Sequence, residues 1–319
     1  MPAQVSLENK PCVLGCNGKD KLLFKGQDLL HDLPGEFNVV CCKECGLIRT
    51  NPRPTPESMG YYYPDDYGPY KGTVVSHNRK VRPRSSILRR LGRRLLELNI
   101  QRLPTLPAGD LLEIGCASGA FLQYMENKGW RVSGIEYSKT ASENARAAGL
   151  DVYTGALEKA PDPDRHFDLI VGWMVLEHLH DPVAALRKLH HWANKDAHLV
   201  LSVPNAGSAD FMLFKKYGYA LHLPNHLYHF DPETLSRVLR AGGWQLEKVH
   251  HQRLLSNWFG GLGQMLSSKG YANSVVSWLK NYPSKAGKLH YLFLPLSMML
   301  ALFGQTGRMT VWAKRISND

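Results

Sequence analysis

The chain has 319 residues, of which 44% are apolar and 21% charged. That is the balance of a globular protein with one large or two modest domains. The net charge is +11, but residues 79–94, "RKVRPRSSILRRLGRR", carry eight Lys/Arg and no acid. Basic character this local argues against a protein that coats nucleic acid over its whole surface, so nucleic acid is not an expected partner. The start, "MPAQVSLENKPC", lacks a basic stretch followed by an apolar core. The longest apolar run, 291–304, is broken by Pro295 and falls short of the roughly 20 residues of a spanning helix. A cytoplasmic protein is expected, with contact at the inner membrane surface left open.

In chain order, the cysteines come first: Cys12, Cys16, Cys41, Cys42 and Cys45, with only Cys116 elsewhere. Cys12-x3-Cys16 and Cys42-x2-Cys45 form two close pairs that can give Zn2+ four thiolates. Such a site is closed and therefore structural. A disulfide framework would suit an exported chain. Cys41 is expected to face away from Cys42, because neighbours in a strand point to opposite sides. Residues 46–72, rich in Pro, Gly and Tyr, read as an irregular connector. Ser85 or Ser86 can cap a helix with Ile87, Leu88, Leu91 and Leu95 on one face and arginines on the other. That segment suits a solvated face, a membrane-surface helix or a grip on an anionic substrate.

From residue 109 the pattern alternates. Strand-like runs lie at 111–115, 131–137, 151–155, 167–173, 198–204 and 245–251, with helical stretches at 119–128, 139–148, 182–194 and 232–241. This predicts a doubly wound α/β parallel sheet with helices on both faces. The block 256–304 has helical spacing, and "GRMTVWAKRI" (307–316) reads as a last strand. The expected division is a zinc-ribbon-like 1–60, a Tyr-rich connector with a basic amphipathic helix at 61–108, a core at 109–255, a helical insertion at 256–304 and the last core strand at 305–319.

The turn "GCASGA" (115–120) joins the first strand to a helix. Gly115 and Ala120 fit the first and third positions of G-x-G-x-x-G/A, but Ala117 replaces the glycine that lets a pyrophosphate approach the backbone. Glu113, at the strand's end, would repel phosphates. A cationic nucleoside without phosphate suits it: S-adenosyl-L-methionine, with an ammonium and a sulfonium. Glu136 ends the next strand, at the position from which an acid accepts hydrogen bonds from ribose hydroxyls.

With "LLEIGCASGAFL", "VSGIEYS", "FDLIVGWMVLEHLHDP" and "HLVLSVPN" in this order, residues 109–255 resemble the class I S-adenosylmethionine-dependent methyltransferases. The resemblance implies a Rossmann-like seven-stranded sheet whose last strand runs antiparallel. It also implies donor contacts at Glu113, Gly115, Gly119, Glu136 and the chain around Gly172, Trp173 and Met174, with Cys116, Ala117 and Tyr137 as neighbouring candidates. Relatives often carry Gly-Asp after the third strand, the Asp accepting from the adenine amino group. Here Ala156 holds that place, leaving adenine to the backbone, Leu157 or Glu158. "CCKECGLIRTNPRP" followed by "YYYPDDYG" resembles a branch with an N-terminal zinc ribbon, often associated with cell-surface polysaccharide or glycolipid synthesis.

Methyl transfer from a sulfonium needs an aligned acceptor and, for a hydroxyl, a base. Glu177 and His178 follow the fourth strand; His222, His226, Tyr228 and His229 follow the fifth. His178 and His226 are the candidate bases, although each of these groups could equally anchor a loop. Methyltransferases with E-x-x-E-H after the fourth strand can bind a divalent metal. Met174 occupies the first Glu position here, and a thioether is a poor ligand for a hard cation, so no catalytic metal is expected. The expected activity is O-methylation of a sugar or cell-surface glycan or glycolipid precursor. Alternatives are an RNA or small-molecule methyltransferase and a non-catalytic zinc-bearing scaffold.

Overall fold

The computed structural model describes residues 5–63 and 97–317. The basic helix read at 79–94 lies outside the described residues. Five short strands come first: β1 (Leu7–Glu8), β2 (Asp20–Gly26), β3 (Phe37–Cys42), β4 (Ile48–Thr50) and β5 (Arg53–Pro54). Then strands and helices alternate as β6 (Asp110–Ile114), α1 (Ala120–Glu126), β7 (Arg131–Glu136), α2 (Lys139–Ala147), β8 (Val152–Thr154), β9 (Phe167–Trp173), α3 (Pro182–His191) and β10 (Ala193–Pro204). The chain ends with α4 (Ala209–Phe214), β11 (Tyr228–His229), α5 (Pro232–Ala241), β12 (Trp244–His251), α6 (Ser256–Ser268), α7 (Ser274–Lys285), α8 (Leu294–Leu302) and β13 (Arg308–Arg315).

The main sheet has seven strands in the order β12-β13-β10-β9-β6-β7-β8. Neighbours from β10 to β8 are parallel, whereas β13 runs antiparallel to both β10 and β12. The expected antiparallel last strand is therefore present, and it is an inner strand. Its neighbours cover both its edges, with Val311 opposite both Leu201 and Val249. Helices cover both faces, so inner strands are apolar along their length: Leu111, Ile170, Leu199, Val200 and Val311 are fully buried. Helix starts follow local chemistry. Asp181 and Asp231 accept from the N–H of Ala184 and Thr234 respectively, each followed by a proline in the first turn. Ser138 does the same for Ala141.

Strand β1 pairs with β5 in a sheet of two strands, and β2, β3 and β4 form a further sheet with β11, in the order β11-β4-β3-β2. Its edge strand β11 comes from residues far along the chain, with Tyr228 opposite Arg49 and His229 opposite Ile48. Cys12, Phe37 and Leu47 share one apolar core with Leu112, Ile170 and Phe230. The cysteine-bearing segment is thus built into the side of the sheet domain, against the segment that carries His226. Among the described residues no helix is long and apolar enough to cross a membrane.

Candidate active site and cysteine cluster

The loop between β6 and α1 turns back on itself through three residues of positive φ: Gly115 (67°), Ala117 (46°) and Gly119 (81°). Glycine is required at two of them for space as well. A Cβ on Gly115 would meet Val175 Cγ2 at 2.6 Å, and one on Gly119 would meet Leu150 Cδ1 at 2.3 Å. Ala117 takes a conformation that L-residues rarely adopt, and is held there by a specific bond. Its N–H donates to Glu136 Oε2 at 2.8 Å. Glu136 Oε1 accepts from the Ser138 N–H at 2.7 Å, so one carboxylate ties together the two loops that flank the strand ends.

Glu113 is 2% exposed, and the polar side chain that faces its carboxyl is the Trp173 indole. Burial, then the Glu136 charge, hold the Glu113 carboxyl well above the usual range. Burial also raises Glu136, opposed by the N–H groups of Ser138 and Ala117. Two buried acids at the ends of adjacent strands are stabilised by a cation beside them. This chemistry fits the ammonium and sulfonium of S-adenosylmethionine and disfavours a pyrophosphate.

The other donor candidates have different placements. Gly172 is buried in β9, where a Cβ would meet Ile114 Cγ1 at 2.8 Å. Trp173 and Met174 follow, half-buried, with Met174 at φ 58° and its N–H bonded to the Ser202 carbonyl. Leu157 is buried in a single 3-10 turn preceded by Ala156. Tyr137 is 62% exposed. Cys116 turns its thiol into the core beside Gly134, and burial pushes that thiol up. It packs the loop from behind.

On the acceptor side, Glu177, His178 and His226 gather so that one ligand or proton-transfer atom of each lies within 4.8 Å of the others. His178 Nδ1 is 3.0 Å from the Asn225 carbonyl and 2.9 Å from the Tyr63 hydroxyl. A carbonyl only accepts, so Nδ1 carries the hydrogen and Nε2 keeps its lone pair. His226 is fixed in the same tautomer, its Nδ1 donating to the Ala220 carbonyl at 2.8 Å. The His178 and His226 rings are 4.6 Å apart, and the His222 ring is 4.9 Å from that of His226. Burial keeps these imidazoles neutral, lowering His178 to about 4 and His226 well below its ordinary value. His178 is half-buried, whereas His226 is 4% exposed.

Glu177 is fully buried, and neither carboxylate oxygen has a hydrogen-bond partner among the described residues; Oε1 is 4.0 Å from His226 Nε2. Burial pushes it up to about 8. A carboxyl raised from 4.5 to about 8 contributes stability that is fully present below pH 4.5 and is lost as pH rises through 8. Glu177→Gln should therefore gain on the wild type in thermal melts between pH 5 and 8, by at most about 1.4 kcal/mol per pH unit. A variant that instead falls behind as pH rises would mean that Glu177 is ionised against a cation, a divalent metal included.

Sequence reasoning did not single out Tyr63 or Asn225. Tyr63 belongs to a tyrosine run with no periodicity, and Asn225 is buried next to His226, its Nδ2 donating to the Tyr62 carbonyl at 2.7 Å. The only available signal was their place beside the histidine cluster and the connector.

The four predicted cysteines converge. The sulfurs of Cys12, Cys16, Cys42 and Cys45 all lie within 4.8 Å of one another, with Cys12 and Cys45 at 3.5 Å. Each pair sits on a tight turn closed by a glycine N–H: Gly15 to the Cys12 carbonyl and Gly46 to the Cys42 carbonyl, both 2.9 Å. Both glycines have φ near +77°, at 76° and 78°. The extra residue of Cys12-x3-Cys16 is thus absorbed by the Gly15 turn. Cys41 faces away, toward the Gly46 carbonyl at 3.4 Å.

The family described as "Methyltransferase domain" matches residues 86–249. A protein named as a probable S-adenosylmethionine-dependent methyltransferase of Mycolicibacterium smegmatis is 27% identical over 154 residues, 47% of this chain and 58% of that one. A ubiquinone biosynthesis O-methyltransferase of Nitrosospira multiformis is 26% identical over 164 residues, 47% of this chain and 68% of its own. The chain thus spans little more than half of the mycobacterial relative. An S-adenosylmethionine-dependent methyltransferase from Mesorhizobium loti overlays on 67% of this chain and 94% of its own, with 19% identity and a TM-score of 0.46. The match covers half of the chain and includes the donor loop, Glu136 and Glu177–His178, so the chain belongs to the methyltransferase-domain family.

Proposed function

We propose that the protein methylates a hydroxyl of a sugar or glycolipid precursor, with S-adenosylmethionine as donor. The observation that carries the donor is the pair of buried acids, Glu113 and Glu136, on either side of a loop too tight for side chains. When bound, S-adenosylmethionine supplies an electrophilic methyl group on a sulfonium. Glu113 compensates its positive charge, and Glu136 holds the ribose hydroxyls. His178, with its Nε2 lone pair, takes the proton from the acceptor hydroxyl as the oxygen–methyl bond forms and the sulfur–methyl bond breaks. The Asn225 carbonyl fixes the imidazole in the tautomer this requires, and the Tyr63 hydroxyl lies beside the same nitrogen.

A second reading is a phenolic acceptor. The names of the relatives in ubiquinone biosynthesis support it. It uses the same base and the same in-line geometry. Cys12, Cys16, Cys42 and Cys45 are proposed to hold one structural Zn2+, their spacing and convergence supporting a closed tetrahedral site.

The test of the donor site is calorimetry with S-adenosylhomocysteine. Glu136→Ala should weaken binding by about 1.5–3 kcal/mol, the range for hydrogen bonds to a charged group. Unchanged affinity would put the donor elsewhere.

A further inference from the structure

Helices α6, α7 and α8 form a cap closed by aromatic contacts, with Phe259 centred 4.6 Å from Tyr282 and 4.9 Å from Phe293. That packing uses the inner side of α8, where Leu294 and Ser297 are buried. Ser297 is the only polar side chain in "LPLSMMLAL", and its hydroxyl donates inward to the Leu294 carbonyl. The outer side carries Leu292, Leu296, Met299, Leu302 and Phe303, spaced by three and four residues. Leu292 is 70% exposed, Leu302 83% and Phe303 74%. A helix facing water turns its polar residues outward; this one is inverted. A contiguous apolar strip of this kind marks a contact surface.

Charge decides what covers it. Residues 248–318 contain no Asp or Glu, while Lys280 and Lys285 on α7 and Lys288 in the turn that leads into α8 are exposed. Trp278 on α7, Tyr271 just before it and Tyr291 just before α8 are exposed too, and amphipathic rings of this type settle at a lipid headgroup layer. A second copy of the chain would set these lysines against each other. The chain's own 79–94 segment brings eight more Lys/Arg and no acid. An anionic bilayer satisfies both the apolar strip and the lysines.

We infer that the 289–303 face docks on the surface of an anionic lipid bilayer. Helix α6 also packs closely on the acceptor-side segment, where a Cβ on Gly260 would meet the Tyr219 ring at 2.8 Å and one on Gly261 the Phe214 ring at 2.5 Å. That segment runs directly into His222 and His226. The cap that docks is thus packed against the segment leading into the acceptor side, which suits an acceptor hydroxyl carried on a lipid. This last step rests on the methyltransferase reading; the docking itself does not.

The test is co-sedimentation of the full chain with vesicles of phosphatidylcholine plus phosphatidylglycerol, against phosphatidylcholine alone, at low and high salt. Binding should require the anionic lipid and weaken with salt. Leu292→Ser/Leu302→Ser/Phe303→Ser and Lys280→Glu/Lys285→Glu/Lys288→Glu should each lose about tenfold or more in apparent affinity. Circular dichroism melts of both variants show that the fold is kept, independently of any enzymatic activity. No binding by the wild type overturns the inference. So does equal binding by both variants, which would assign the affinity to 79–94. A self-association seen in sedimentation velocity and abolished by the apolar variant, without vesicle binding, would make the strip a dimer interface and overturn it as well.

Discussion

If the four cysteines hold zinc as proposed, Cys42→Ser is expected to release it and to abolish methyl transfer while leaving S-adenosylhomocysteine binding nearly intact. Structural zinc in small modules is worth on the order of 10–16 kcal/mol of apparent binding free energy, so losing one of four thiolates should unfold the local turns. Transmission to the acceptor side follows from the contacts of the N-terminal sheet. The Thr50 hydroxyl donates to the His226 carbonyl at 2.9 Å, and the Thr50 N–H to the Leu227 carbonyl at 2.9 Å. Arg53 donates to the His180 carbonyl at 2.9 Å. The His226 segment thus hangs on β4, which pairs with the Cys42-bearing β3, and Arg53 follows β4 by three residues in the chain. The donor loop, held by Glu136, lies on other strands. Metal analysis of wild type and variant, beside calorimetry and a methyl-transfer assay, checks each part. Wild-type protein purified without chelator and found free of zinc would remove the proposed site. A zinc-free variant with normal turnover would remove its link to the acceptor side.

His178→Ala should lower turnover by roughly 10²–10⁴-fold with donor binding retained, the range for loss of a positioned general base. His226→Ala should cost turnover too, by a different route. His226 is buried, tied to the Ala220 carbonyl and turned toward Glu177, so it supports His178 and the surrounding backbone. Its removal should also lower the melting temperature. Burial holds His178 at about 4, so its lone pair is available throughout the neutral range. The wild-type rate should then show no loss between pH 8 and 6 from protonation of this imidazole. A rate that fell with a pKa near the ordinary 6.5 would point to another base. Normal turnover in both alanine variants would mean that alignment alone drives transfer, or that the base comes from the Tyr63 side.

The sequence by itself determined the sheet and made the candidate donor loop legible, because both are written in local signals. Strands buried on both faces must be apolar throughout, and helices between them must start with caps such as Ser138, Asp181 and Asp231. The six core strands and the last one accordingly fall within a few residues of their apolar runs, β10 alone beginning as early as Ala193. Gly115, Gly119, Glu113 and Glu136 were legible because one short loop and two strand ends carry them. The cysteine pairs were legible as spacing. What only the tertiary structure decided is long-range. The two-residue strand β11 has no period of its own and exists because β4 offers it a partner. The thiol direction of Cys116 depends on the bare backbone of Gly134 in the next strand. The tautomers of His178 and His226 depend on carbonyls at Asn225 and Ala220, and the proximity of Tyr63 to His178 spans 115 residues. Local sequence fixes an element's period and ends. Which side chains meet across elements is set by packing, where each contact depends on every other strand being in register.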